Sequence, residues 1–304
     1  MSIIQDIRDT FSRRDNALNQ LIVLNVVVFA VVVLLYAIAF LSQTSTWYEF
    51  VMRQLELSAN LRVLTFHPWT VLTYAFVHQN PFHILFNMLN LYFFGQIIRE
   101  YLGDQRLVSI YVLGGLAGAL AFLLAYNLLP VLQPGALTGQ PVIGASAAAI
   151  AVVVAAATLL PDYTFMLILL GPVKIKWIAA ALVLISIAAI NQGNTGGEIT
   201  HIGGALLGFV FIKMLNMGRD MGRPVTAVGE WFGRVFSQRS GSMRVTHRQP
   251  VATGTRSAGS SAKTNGSGVA GQDEIDLILD KISHSGYESL SKDEKQKLFR
   301  ASQQ

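Results

Sequence analysis

The chain has 304 residues, 52% of them hydrophobic and 13% charged, with a mean hydropathy of +0.45, a composition that excludes an ordinary soluble domain and reads as an integral membrane protein. It has no cysteine, which excludes a disulfide framework and any Cys-based zinc or redox site. The formal charge of +5 does not read as a nucleic-acid surface: Lys and Arg gather beside apolar runs and in the C-terminal tail, as topology signals and contacts for anionic lipid do.

A hydrocarbon core of about 30 Å takes about 20 apolar residues per helix. On that measure about six spans are expected, at 20–41, 82–102, 106–128, 145–160, 174–191 and 200–216. Residues 1–19 are polar, and the apolar run that follows is longer than a signal-peptide core, so they read as a cytoplasmic N-terminal segment. The loop Ser42 to Pro81 mixes Trp47, Tyr48, Phe50, Leu55, Leu57, Leu61 and Val63 with polar residues and is expected to lie partly in the interface as amphipathic helix. The fourth apolar run is short, which places the start of its helix below the membrane surface.

Orientation follows from short-loop cations. Arg8, Arg13 and Arg14, then Arg99 and Arg106, Lys174 and Lys176, and Lys213, Arg219 and Arg223 fall on one side. The other side has Arg53 and Arg62 in the long first loop, none in 130–143 and none in 193–197. Both termini are therefore expected to be cytoplasmic, and spans two, four and six enter from the outer face. His83, Ser146 and His201 begin those spans and share a depth, with Asn87 one helical turn after His83. Polar groups at that depth need partners or water, so a shared polar cavity is implied. Small residues permit the approach: Gly114, Gly115 and Gly118 in span three, Ala147 to Ala149 in span four, Gly204 and Gly208 in span six.

After Met217 the composition turns to Gly, Ser, Thr, Arg and Ala, and 217–271 is expected to be a disordered linker. Residues 272–304 read as a small cytoplasmic helical hairpin: Ile275, Ile278, Leu279 and Ile282 recur at helical spacing, Gly286 stops the helix, and Ser291 to Glu294 has the form of a capping box. It is either a weakly ordered tail or the docking segment of an unknown cytoplasmic partner.

A serine hydroxyl becomes a useful nucleophile when an imidazole takes its proton, and Ser146 with His201 supplies that pair. Glu198 stands beside span six, and no carboxylate lies in the outer halves of spans two, four and six, so the pair is expected to act as a dyad. The oxyanion formed by attack on an amide needs fixed donors; candidates are the backbone N–H of Ser146 and the side chains of His83 and Asn87. Taken alone, Gly144-Ala145-Ser146-Ala147 is equally consistent with close helix packing. Four polar residues at one depth favour chemistry.

The motifs His83-x-x-x-Asn87, Gly144-x-Ser146 and His201-x-x-Gly204-x-x-x-Gly208, in this order, resemble those of the rhomboid intramembrane serine proteases. The resemblance covers about 20–216 and includes His78 and Trp69 of the first loop. It implies an all-α, six-transmembrane-helix rhomboid-like bundle, with Ser146 as nucleophile, His201 as general base and an oxyanion hole of His83, Asn87 and Ser146. It also implies hydrolysis of peptide bonds in or near a transmembrane helix of single-pass or other membrane-protein substrates, without cofactor or metal. The C-terminal hairpin resembles tails attached to rhomboids of one bacterial group, which implies a bacterial inner membrane, with the active site towards the outer face. Ala147 stands where the family commonly has glycine, Ile150 where an aromatic often stacks under the histidine, and Trp69-Thr70 where a Trp-Arg pair is usual. A catalytically weak or inactive relative that binds transmembrane helices is the alternative. A small transporter ranks lower, since there is no pair of broken spans in repeated halves. For lateral entry of substrate, the loop Asn191 to Thr200, with Gly193, Gly196 and Gly197, reads as a lid.

Overall fold

The uncharged run Ala17–Leu41 forms one continuous helix, α1, in a computed structural model that describes residues 16–167, 171–236 and 272–301. Five more largely apolar helices follow: α2 (Pro81–Leu102), α3 (Asp104–Leu128), α4 (Ser146–Leu159), α5 (Ile175–Ala189) and α6 (Thr195–Asn216). Among the described residues, α1, α3 and α6 are long and apolar enough to cross a membrane, while α4 and α5 are shorter apolar helices.

Local chemistry sets the boundaries that matter for the site. Asn80 caps α2 by accepting from the backbone N–H groups of Phe82 and His83, and Pro81 fills the first turn, where its missing N–H leaves nothing unpaired. Gly103, at φ +84, ends α2 and lets α3 start at once. The Asp104 carboxylate then accepts from the N–H of Ala17, which fixes the start of α1 beside the start of α3.

Helix α4 runs through the middle of the bundle, packed by α2, α3, α5 and α6. Its Ala147, Ala148, Ala149, Ala151, Val152, Val153, Ala155 and Ala156 are fully buried. The small residues lie at the contacts that the sequence assigns them. A Cβ on Gly204 or Gly208 would strike the carbonyl of Ala147 or Ala151, and one on Gly114 or Gly118 would strike the methyl of Ala151 or Ala147. Such packing replaces long side chains with backbone contact, the means by which helices associate where apolar burial gives little drive. At a rise of 1.5 Å per residue the 14 residues of α4 span only about 21 Å, less than a hydrocarbon core of about 30 Å.

Some polar side chains inside the bundle pair across elements. Asn25 of α1 donates to the Tyr111 hydroxyl at 3.0 Å, and Tyr111 donates to the carbonyl of Ala75 at 3.1 Å, joining α1, α3 and the first loop. That loop is helical in part, as expected, and is also tied into the bundle. It contains the short helices Thr46–Arg53 and Leu61–Phe66 and is pinned by an antiparallel pair between β1 (Leu57–Ser58) and β2 (Pro141–Val142), in the register Leu57↔Val142. Leu57, Ala59, Tyr74 and Ala75 are buried, whereas Phe50 and Phe66 remain exposed; the loop is amphipathic, and its inner face belongs to the core. A second hairpin, β3 (Thr164–Leu167) with β4 (Gly171–Lys174), joins α4 to α5. Beside it Lys174 and Lys176 each lie 2.9 Å from Asp162.

Residues 223–236 correct the linker expected over 217–271: Arg223–Phe236 is a helix, α7. Its approach is fixed by the Arg106–Asp220 ion pair, 3.2 Å, and by Gly222 packing on Ser109. Pro224, Gly229 and Gly233 hide its period in the sequence, although Pro is tolerated in a first turn. The remainder of the expected linker, 237–271, and residues 1–15 lie outside the described residues.

The described residues divide into two units at Ser240. In the second, α8 (Gln272–Ser285) and α9 (Lys292–Ala301) flank Gly286, at φ +75. The capping box is formed: the N–H of Ser291 donates to the Glu294 carboxylate at 2.7 Å, and the N–H of Glu294 to the Ser291 hydroxyl at 3.3 Å. Lys281 of α8 bonds the same carboxylate at 2.9 Å.

Candidate active site

Ser146 is the first residue of α4 and is 6% exposed. Its backbone N–H is one of those a helix start leaves without an intrahelical partner. The approach is made by Gly144, whose φ of +129 and whose contact with the His83 ring, 2.6 Å from where a Cβ would sit, both require glycine. The Gly144 N–H donates to the carbonyl of Tyr74 at 2.9 Å, so the first loop holds this segment in place.

His78, fully buried, ties the segment to α2. Its Nε2 accepts from the backbone N–H of Ala145 at 3.3 Å and lies 3.0 Å from the Asn87 amide nitrogen. A backbone amide can only donate, so Nε2 is unprotonated and the ring is neutral. Burial, followed by the neighbouring His83, pushes the His78 pKa down to about 4, in accord with that geometry. The His78 and His83 rings meet edge to face at 5.3 Å. Asn87 spends one amide N–H on His78 and retains the second.

His201 lies in the second turn of α6, one turn before Gly204, and Gly204 rests on the carbonyl of Ala147. That contact seats the third turn of α6 against the first turn of α4. Gly144, just before α4, lies against the His83 ring of α2, and Gly204 of α6 against Ala147 of α4, so α2 and α6 both meet the first turn of α4. No hydrogen bond joins the Ser146 hydroxyl to another group among the described residues. The Nδ1 of His201 is occupied: the Ser186 hydroxyl of α5 lies at 2.9 Å and the Glu198 carboxylate at 3.1 Å.

Two elements lie differently from the sequence expectation. Glu198, expected beside span six, is inside the helix: α6 begins at Thr195, and Glu198 faces His201 at i, i+3. Gly196 and Gly197 of the expected lid loop are instead buried in the first turn of α6, with Gly196 against the Phe122 ring. Those glycines serve close packing. Trp69 stands apart, with its indole N–H donating to the carbonyl of Gln54 at 2.8 Å; among the described residues no contact links it to Ser146 or His201. Ser186 gave no signal in sequence, being one serine within an apolar run.

The fold is that of a helical membrane protein with Asn87 buried in the second turn of α2 and Ser146 in the first turn of α4. The Rhomboid domain family model matches residues 65–217, half of the chain, and the chain belongs to the rhomboid family. Residues 262–304 match a family of unknown function (DUF6576). Among named relatives, RHOMBOID-like protein 12, mitochondrial, of Arabidopsis thaliana is 31% identical over 49% of this chain and 47% of its own. Rhomboid protein 1, mitochondrial, of Saccharomyces cerevisiae is 28% identical over 52% of this chain and 45% of its own. Rhomboid-like protein 16, chloroplastic, of Arabidopsis thaliana is 27% identical over 49% and 50%. The chain thus spans about half the length of the curated relatives it matches. Their names place those proteins in mitochondria and chloroplasts and lend no support to the bacterial setting expected from the tail.

Proposed function

We propose that this chain is an intramembrane serine endopeptidase that hydrolyses peptide bonds in or near the transmembrane helix of membrane-protein substrates. The observation that carries the reading is the packing of Gly204, one turn after His201, on the carbonyl of Ala147, the residue after Ser146. With Nδ1 of His201 engaged by Ser186 and Glu198, Nε2 is the nitrogen left to take the serine proton.

In this scheme the Ser146 Oγ attacks the scissile carbonyl while its proton passes to Nε2 of His201. The oxyanion is met by the Ser146 N–H, by His83 and by the second N–H of Asn87. Collapse expels the amine, which takes the proton from His201, and a water activated by the same imidazole then hydrolyses the acyl-serine. Substrates are single-pass or other transmembrane proteins that enter sideways from the bilayer. A six-span arrangement follows if α2, α4 and α5 cross together with α1, α3 and α6. The cation-rich ends, Arg106, Lys174 and Lys213, then face the cytoplasm with both termini, and the site faces outward. A bacterial inner membrane rests on the resemblance of the tail alone, and the second unit remains a proposed docking hairpin.

The test is cleavage of a single-pass model substrate in liposomes by wild type and Ser146→Ala. Loss of cleavage in the variant supports the reading, and undiminished cleavage overturns it. The second reading, a relative that binds helices without cutting them, is favoured by the absence of a Ser146–His201 hydrogen bond among the described residues. Substrate capture without product by the wild-type chain would establish it.

A further inference from the structure

A carboxylate and a hydroxyl converge on the ring nitrogen of His201 that faces away from the proposed chemistry. The Glu198 Oε2 lies 3.1 Å and the Ser186 Oγ 2.9 Å from Nδ1, so both oxygens meet at one ring nitrogen. The side chains of His201 and Glu198 are 16% and 14% exposed, and Ser186 is buried. A charge so enclosed in an apolar helix persists only with a partner, and here that partner is the imidazole. No aromatic ring packs on His201 among the described residues, and Ile150 occupies the position where an aromatic would be expected to steady it.

We infer that Glu198 is a positioning residue for the proposed hydrolysis, its carboxylate accepting the Nδ1–H of His201 while the Ser186 hydroxyl shares that bond. The inference rests on the serine-protease reading. An ionised carboxylate can only accept, so it fixes the proton on Nδ1 and leaves the Nε2 lone pair for Ser146. When Nε2 takes the serine proton, Nδ1 keeps its own, and the imidazolium lies against a negative charge in a medium of low dielectric. Glu198 stays ionised throughout. This is the role of a third, acidic member beside a serine and a histidine, supplied here from the turn before the histidine on the same helix. Ser186 comes from a different helix, α5, so the orientation of the imidazole depends on α5 staying packed against α6. The structural alternative is that Glu198 merely complements the positive end of α6, and such a role would leave turnover untouched.

The experiment uses the full chain in liposomes with a single-pass substrate and measures kcat, KM and thermal midpoint for wild type, Ser146→Ala, Glu198→Gln, Glu198→Ala and Ser186→Ala. Glu198→Gln keeps the shape and an acceptor but removes the charge. Its kcat is expected to fall about tenfold to a hundredfold with KM within about twofold. Glu198→Ala is expected to fall further, and Ser186→Ala by less than either. If Glu198→Ala does not fold, the near-isosteric Gln variant still decides. Turnover within about twofold of wild type in Glu198→Gln and Glu198→Ala, or a lowered thermal midpoint with kcat unchanged, overturns the inference and leaves the protease reading standing. Equal cleavage by wild type and Ser146→Ala, or no cleavage by wild type, overturns both.

Discussion

Gly204 rests on the main-chain carbonyl of Ala147, so closely that any side chain at position 204 would overlap it. The contact lies between the residue after Ser146 and the residue one turn after His201, and it therefore sets the distance between the two helices that carry them. Gly208 repeats the arrangement one turn deeper, on the carbonyl of Ala151.

Gly204→Ala is expected to destabilise the bundle by about 1–3 kcal/mol, the usual range for overpacking a tight contact. Because α6 must move off α4, cleavage should fall by more than stability alone explains. Thermal unfolding in detergent, with cleavage measured well below the midpoint, separates the two effects. An active, unshifted variant would contradict the role given to this contact.

Gly144→Ala should act on the site by another route. A φ of +129 disfavours any L side chain, and the added methyl meets the His83 ring. The backbone strain is about 1–2 kcal/mol, and displacement of His83 removes an oxyanion donor. The expected result is a fall in kcat with KM little changed, since the donors act on charge that develops during reaction. A variant with normal kcat would remove His83 from the proposed oxyanion hole.

Acid should loosen the first loop from the start of α4. His78 has a pKa held near 4 by burial and then by His83, against an ordinary value of 6.5, so the unfolded chain binds its proton first as pH falls. The stability it confers is complete above about 6.5 and is lost progressively as pH drops through about 4. Protonating Nε2 would also turn its two donors, Ala145 N–H and the Asn87 amide, into opposed partners. The thermal midpoint of wild type is expected to decline over this window, and that of His78→Gln to decline less. Parallel curves would show that His78 does not titrate in this way.

Much of the site is legible in the sequence, because a polar residue at the start of an apolar run is conspicuous and the cation pattern assigns helix starts to one side. That logic singles out Ser146, His201, His83 and Asn87 as candidates, and spacing singles out the glycine ridges. Glu198 reads as lying outside the last helix, since Gly196-Gly197 reads as loop and moves the apparent start to Thr200; the glycines are in fact helical and buried. The pairing of Leu57 with Val142 joins segments 85 positions apart by main-chain hydrogen bonds, to which side-chain patterns are blind. The helix Arg223–Phe236 was obscured by Pro224, Gly229 and Gly233, whose breaking tendency its amphipathic face overrides.

The most direct test of the central claim is to treat the protein in liposomes with a fluorophosphonate, then map and quantify the adduct by mass spectrometry in wild type and His201→Ala. A serine activated by His201 predicts one adduct, on Ser146, formed at least about a hundredfold more slowly in the variant. No adduct on Ser146 in wild type, or an equal rate in His201→Ala, would contradict the account.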